Sequence, residues 1–180
     1  MCADTLKDQV ALRGTFTETE AWHFMEQMAS AFAYMHSHNI VHRNIKLVNI
    51  LCSRGVLKVV DFGLALFFTP GENIIAFGGT PGYMAPEVSE FEYKGPPADV
   101  WALGIVFTKL FLGLQFNGQD IIKVSPDTYD FIVVYSPPPS ASEALVSLLT
   151  GMLLTDPSER FTMQEIVNHT WFKENHPMEV

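Results

Sequence analysis

Cysteine is scarce in this chain, with only Cys2 and Cys52 in 180 residues. No disulfide framework can hold it together, and a reducing cytoplasmic or nuclear setting is expected. Positive charge is also short. Lysine and arginine total 11 against 20 acidic residues, a net charge of −9. That balance argues against a nucleic-acid partner or a broad attraction to an anionic membrane. No apolar run is long enough for a bilayer; the longest, residues 100–114, is interrupted by Thr108 and Lys109. The first ten residues have neither a basic flank nor an apolar stretch, so they do not read as a signal peptide. Internal repeats and low-complexity segments are missing too. What remains is an apolar content of 48% over 180 residues, enough for one domain with a sizeable core.

Local patterns sketch that domain. Thr17 and Glu20 form a capping box, in which a threonine hydroxyl and a glutamate three residues on satisfy free backbone N–H groups. Trp22, Met25, Met28, Ala29, Phe32 and Met35 then recur at helical spacing, predicting a helix over 18–38 with one buried face. Core packing accounts for that stripe better than a ligand-binding box. Residues 49–53 and 56–60 predict two short strands joined by a turn at Arg54-Gly55. An apolar helix is expected over 99–114, an irregular loop with at most one short helix over 115–140, and helix again over 141–154. A capping box at Thr162 and Glu165 opens a last short helix to about His169. The expected fold is therefore mainly α, with a small β-hairpin on one face.

Several short motifs lie on this frame in a fixed order: His42-Arg43-Asn44, Lys46, Asn49 and Asp61-Phe62-Gly63, then Gly79-Thr80-Pro81-Gly82-Tyr83-Met84-Ala85-Pro86-Glu87. Asp99 to Gly104 and Asp156-Pro157-x-x-Arg160 follow. Asp-Phe-Gly alone would be weak, but the whole series at these spacings resembles the C-terminal lobe of a eukaryotic Ser/Thr protein kinase over nearly the entire chain. The run from Phe77 to Val88 looks most like calmodulin-dependent, AMP-activated or checkpoint-type kinases. The resemblance implies a large-lobe domain over 1–172, a short tail over 173–180, and ATP-dependent phosphorylation of protein Ser/Thr as the family function.

The resemblance also implies roles. Asp61 and Asn49 would hold Mg2+ against the phosphates of ATP, and their hard oxygens suit that ion. Lys46 would face the γ-phosphate, and Leu51 would pack beneath the adenine. Thr80, with Gly79, would tie the catalytic loop to the activation segment. His42, Arg43 and Phe62 are structural members of these loops. Glu87 and Arg160 look like a buried ion pair anchoring the segment, and Asp99 looks like a helix-start residue that binds the loop backbone. The spacing of His36, His38, His42 and Cys52 matches no standard zinc site.

The chain departs from the family at informative places. Asn44 stands where the family has the aspartate that orients or accepts the hydroxyl proton, and an amide cannot take a proton. Ala76 replaces the residue usually phosphorylated four positions before Thr80, leaving Arg43 without that partner and with only distant Thr69 as an alternative in the segment. Leu47 and Val48 stand where many kinases selecting basic substrates carry Pro-Glu. Residues 1–41 hold no Gly-x-Gly-x-x-Gly loop, no strand lysine and no helix glutamate to pair with it. The expectation is thus a kinase-like large lobe with the N-terminal lobe missing, weak ATP binding and weak or no turnover. The alternatives are an incomplete copy of an active kinase, a pseudokinase scaffold binding a protein at an exposed cleft, and an enzyme completed by another chain. An intact Asn44→Asp protein with a complete small lobe is expected to gain activity.

Overall fold

The computed structural model describes residues 4–116, 122–124, 131–133 and 141–174. The chain starts with a two-residue strand, β1 (Asp4–Thr5), and a helix, α1 (Leu6–Arg13). Neither was anticipated, yet the local signal existed. The Thr5 hydroxyl accepts the Asp8 N–H at 3.2 Å while the Asp8 carboxylate accepts the Thr5 N–H at 2.9 Å. This is a capping box closed by aspartate instead of glutamate. α2 (Glu18–Ser37) opens on the expected box of Thr17 and Glu20 and buries all six of the periodic residues named above.

The middle of the chain is built from short pieces. β2 (Ile40–Val41) leads into a 3-10 turn, Leu47–Asn49, and then β3 (Ile50–Ser53) and β4 (Val56–Val59). A second 3-10 turn, Phe62–Leu64, precedes β5 (Leu66–Phe67) and β6 (Ile74–Ile75); a third, Pro86–Glu90, precedes β7 (Glu92–Tyr93). The hairpin turn at Arg54 and Gly55 has positive φ at both residues, 51° and 81°, which matches the twist of a tight two-residue loop. β1 pairs antiparallel with β3, placing Thr5 opposite Leu51, so the expected hairpin is part of a three-stranded sheet ordered β1-β3-β4. The pairs β2–β5 and β6–β7 fasten the segment after Asp61 to the helical body.

α3 spans Gly95–Leu112 and starts four residues before the expected boundary. Pro96 and Pro97 lie in its first turn, where a missing N–H costs nothing because those donors have no intrahelical partner. Asp99 accordingly lies just inside the helix, not at its start. The irregular loop expected over 115–140 is corrected in part. β8 (Ile122–Val124) and β9 (Phe131–Val133) form an antiparallel pair, in keeping with their β-branched and aromatic residues. The remaining positions of that stretch lie outside the described residues.

α4 (Glu143–Met152), α5 (Met163–Val167) and α6 (Thr170–Glu174) complete the chain. The second expected capping box is present at Thr162 and Glu165. α6 was not anticipated, and it matters for closure. Trp171 and Phe172 are buried, the Trp22 indole donates to the Phe172 carbonyl at 2.8 Å, and the Trp171 indole donates to Glu18 at 2.6 Å. Glu18 also accepts from the backbone and hydroxyl of Ser142, both at 2.7 Å. One carboxylate at the start of α2 therefore ties together the starts of α4 and α6. The main core gathers Met25, Met28 and Phe32 of α2, Leu103, Phe107 and Leu110 of α3, and Leu148, Leu149 and Met152 of α4. The three-stranded sheet and the loops after β2 and β4 cover one side of that helical body.

Candidate active site

The loop between β2 and β3 is fixed from beneath by α3. One Asp99 oxygen accepts the His42 N–H at 2.8 Å and lies 3.1 Å from the His36 ring; the other accepts the Arg43 N–H at 2.8 Å. Asp99 is 1% exposed, so these donors have no water to fall back on. The His42 ring is buried between Phe32 and Phe62, with ring centroids 6.0 and 5.1 Å away. Its Nδ1 accepts the Asn44 N–H at 3.2 Å and its Nε2 lies 3.1 Å from the Val60 carbonyl. That pairing requires the proton on Nε2 and couples this loop to the end of β4. Arg43 and Asp61 both adopt left-handed backbone, with φ of 65° and 64°. Such conformations persist in non-glycine residues only where surroundings hold them.

On this support, five polar side chains converge. The Asn44 Nδ2 donates to Asp61 Oδ2 at 2.9 Å, and Asn49 Nδ2 donates to the same oxygen at 3.1 Å. Asn49 Nδ2 also donates to the Asn44 carbonyl at 2.9 Å. The Thr80 hydroxyl donates to Asn44 Oδ1 at 2.7 Å and accepts from Lys46 Nζ at 3.0 Å. Asn44 and Asn49 are buried while Asp61 is exposed. The sequence-predicted group of Asn44, Lys46, Asn49, Asp61 and Thr80 is thus one connected network.

Gly79 has φ of 139°, and a Cβ there would lie 2.7 Å from Met84 Cγ. Its lack of a side chain lets the segment press against the loop next to Arg43. Behind the network, Tyr83 is partly buried, and that burial raises its phenol above the usual value against a backbone hydrogen bond to Leu47. Leu51 is half-buried on β3, between Thr5 and Lys58 on its neighbours. Phe62 touches His42 but leaves 51% of its surface exposed.

Arg43 needs a correction. It does have a partner in the segment: its guanidinium donates to the Ala76 carbonyl at 3.3 Å, to the Leu64 carbonyl at 3.3 Å and to the Tyr93 hydroxyl at 2.9 Å. All three acceptors are neutral oxygens. Sequence reasoning missed Tyr93, 50 positions away, because no local pattern links the two. Glu87 and Arg160 pair as expected, at 2.6 and 3.1 Å. Arg160 further donates to the carbonyls of Leu154, Pro97 and Thr155 and lies 5.1 Å from the centre of the Trp101 ring. His36, His38, His42 and Cys52 have separate surroundings: Asp99, the backbone of Tyr34, Val60 and strand β3 respectively. Among the described residues no three His, Cys, Asp or Glu side chains cluster as metal ligands, and no helix is long and apolar enough to cross a membrane.

An ordered loop carrying a lysine and two amides, an Asp-Phe-Gly turn and a segment anchored by a buried ion pair define the phosphoryl-transfer architecture of protein kinases. The comparison with known sequences agrees. Residues 1–172 match the protein kinase domain, and the chain belongs to that family. Its relatives include a probable serine/threonine-protein kinase MARK-A of Dictyostelium discoideum, 39% identical over 91% of this chain and 16% of the relative. Serine/threonine-protein kinase SIK2 of Gallus gallus is 36% identical over 92% of this chain and 21% of its own length. A carbon catabolite-derepressing protein kinase of Candida tropicalis is 37% identical over 96% and 28%. The family is therefore that of the serine/threonine kinases, and the chain spans 16% to 28% of the length of these three relatives.

Proposed function

We propose that residues 1–172 form the large-lobe part of a Ser/Thr protein kinase-like domain whose phosphoryl transfer is weak because of Asn44. The observation that carries this reading is the hydrogen bonding of the Asn44 amide. Its oxygen already accepts the Thr80 hydroxyl, and its nitrogen donates to Asp61. A substrate hydroxyl arriving here finds an acceptor of modest strength and nothing that can hold its proton.

The remaining residues suit the family's chemistry. Asn49 Oδ1 and Asp61 Oδ1 have no hydrogen-bond partner among the described residues, and two hard oxygens on side chains bonded to each other suit Mg2+. When bound, that ion would neutralise charge on the phosphates of ATP. Lys46, fixed by Thr80, would offset charge building on the transferred group. Thr80 would hold the substrate segment in register with the loop. Leu51 and the exposed face of Phe62 offer apolar surface to the nucleotide side. The protein would work in the cytoplasm or nucleus on a protein partner.

The test is Asn44→Asp in the full natural protein. Restoring a proton acceptor raises transfer of labelled γ-phosphate to a Ser/Thr peptide at least tenfold, a threshold set below the about 10²–10⁴ that a general base supplies. A folded, nucleotide-binding Asn44→Asp protein with no gain would sink the reading.

A second reading, a pseudokinase module that binds a partner, draws on one observation. Phe67, Ile75, Phe77 and Phe91 are 82%, 81%, 56% and 57% exposed, and the Phe77 and Phe91 rings lie 5.1 Å apart. Apolar side chains grouped in this way are common at protein contacts.

A further inference from the structure

We infer that the Asn44 amide competes with a divalent cation for Asp61, so that this centre holds metal more weakly than it would with an acidic residue at position 44. The inference rests on the proposed assignment of Asp61 and Asn49 to the metal side of the site.

The argument begins with the orientation of the Asn44 amide. Asp61 can only accept hydrogen bonds when ionised, so the Asn44 atom 2.9 Å from it must be the nitrogen. The Thr80 oxygen already accepts from Lys46, so its proton is free to go to Asn44 Oδ1. Both ends of the amide agree on one orientation, and flipping it would set oxygen against carboxylate.

Next, the two lone pairs of Asp61 Oδ2 can be counted. One is used by Asn44 Nδ2 and the other by Asn49 Nδ2 at 3.1 Å. Only Oδ1 remains for a cation, so bidentate coordination would require breaking a bond to a buried amide. An aspartate at position 44 would reverse this situation. It would put a second carboxylate within hydrogen-bonding distance of Asp61, and such a like-charge pair is relieved by a cation or a proton. Asparagine turns the same contact from repulsive to attractive. The residue that removes the proton acceptor therefore also weakens the hold of Asp61 on a cation.

The consequence can be read without any turnover. Mn2+ alone, titrated into the protein and followed by the electron paramagnetic signal of the free ion, binds Asn44→Asp at least tenfold more tightly than wild type. Asn44→Ala, which frees one lone pair without adding charge, binds about threefold more tightly and serves if the aspartate variant does not fold. Mg2+ raises the melting temperature of Asn44→Asp by about 3 °C or more and moves wild type by less than about 1 °C, because ligand binding stabilises only the states that bind it. Asp61→Asn in the Asn44→Asp background abolishes the effect. Wild type binding Mn2+ as tightly as both position-44 variants would overturn the inference while leaving the metal assignment intact. No binding by any variant, with Asp61→Asn silent, would overturn both.

Discussion

Arg160→Leu destabilises the domain by about 3–5 kcal/mol, the cost of leaving one partner of a buried ion pair unpaired. For a chain of this length that corresponds to a fall in melting temperature of roughly 10 °C. The geometry explains the size. Arg160 is 4% and Glu87 8% exposed, so neither charge can be rehydrated in place. The substitution also strips donors from the carbonyls of Leu154, Pro97 and Thr155 and the cation from above Trp101. Removing both charges, in Glu87→Leu with Arg160→Leu, recovers part of the loss, since no charge is then stranded. Thermal unfolding of the two variants checks this; a single substitution within about 1 kcal/mol of wild type would refute it. The effect reaches the site because Glu87 closes the segment that carries Thr80. Once the pair is broken, the Thr80 hydroxyl is held against Asn44 less firmly, with Lys46 still bonded to it.

Asp99→Ala should be nearly as severe and should act on the loop itself. It leaves the buried N–H groups of His42 and Arg43 without an acceptor, at about 1–3 kcal/mol each, and takes a partner from His36. Arg43 is held in left-handed backbone with φ of 65°, and this strained conformation depends on that carboxylate. Asp99→Asn keeps one acceptor oxygen and should lose about half as much. Hydrogen exchange at the amides of His42, Arg43 and Asn44 reads the effect locally. The alanine variant should exchange at least a hundredfold faster there, and unchanged protection would show that the loop is held by something else.

Some of this molecule was plain in its sequence and some was not. α2 was legible because Thr17, Glu20 and the buried positions from Trp22 to Met35 all carry the same message within one helix. The β3–β4 hairpin was legible because Arg54-Gly55 sits between two short apolar runs. α1 is harder to read because its capping box ends in Asp8, a less familiar partner, and because the helix spans only eight residues. α6 was missed for a different reason: Trp171 and Phe172 are held by Trp22 and Glu18, about 150 positions earlier. Such contacts leave no local pattern. The start of α3 was misplaced because Pro96 and Pro97 look like breakers unless their place in a first turn is known.

The site shows the same division. The motifs identified which residues would meet, since Asn44, Asn49, Asp61 and Thr80 occupy a recognisable order. How they meet depended on rotamers that only the folded chain sets. Nothing in the sequence indicated that two amides would share one oxygen of Asp61, or that Arg43 would be satisfied by the Ala76 carbonyl and Tyr93 hydroxyl. The Arg43 guanidinium is occupied by three neutral oxygens, two of them backbone carbonyls of the segment after Asp61.

The central claim is that phosphoryl transfer at a kinase-like loop is slowed by one amide, and the rate of the unaltered protein tests it most directly. The measurement is single-turnover transfer of labelled γ-phosphate by the full natural protein at saturating ATP and Mg2+, with Asp61→Asn as the control for contaminating kinases. The account predicts a rate at least a hundredfold below the roughly 1–100 s−1 usual for protein kinases, lost altogether in the control. A rate in the ordinary range, abolished by Asp61→Asn, would mean that Asn44 is no obstacle and would contradict the account.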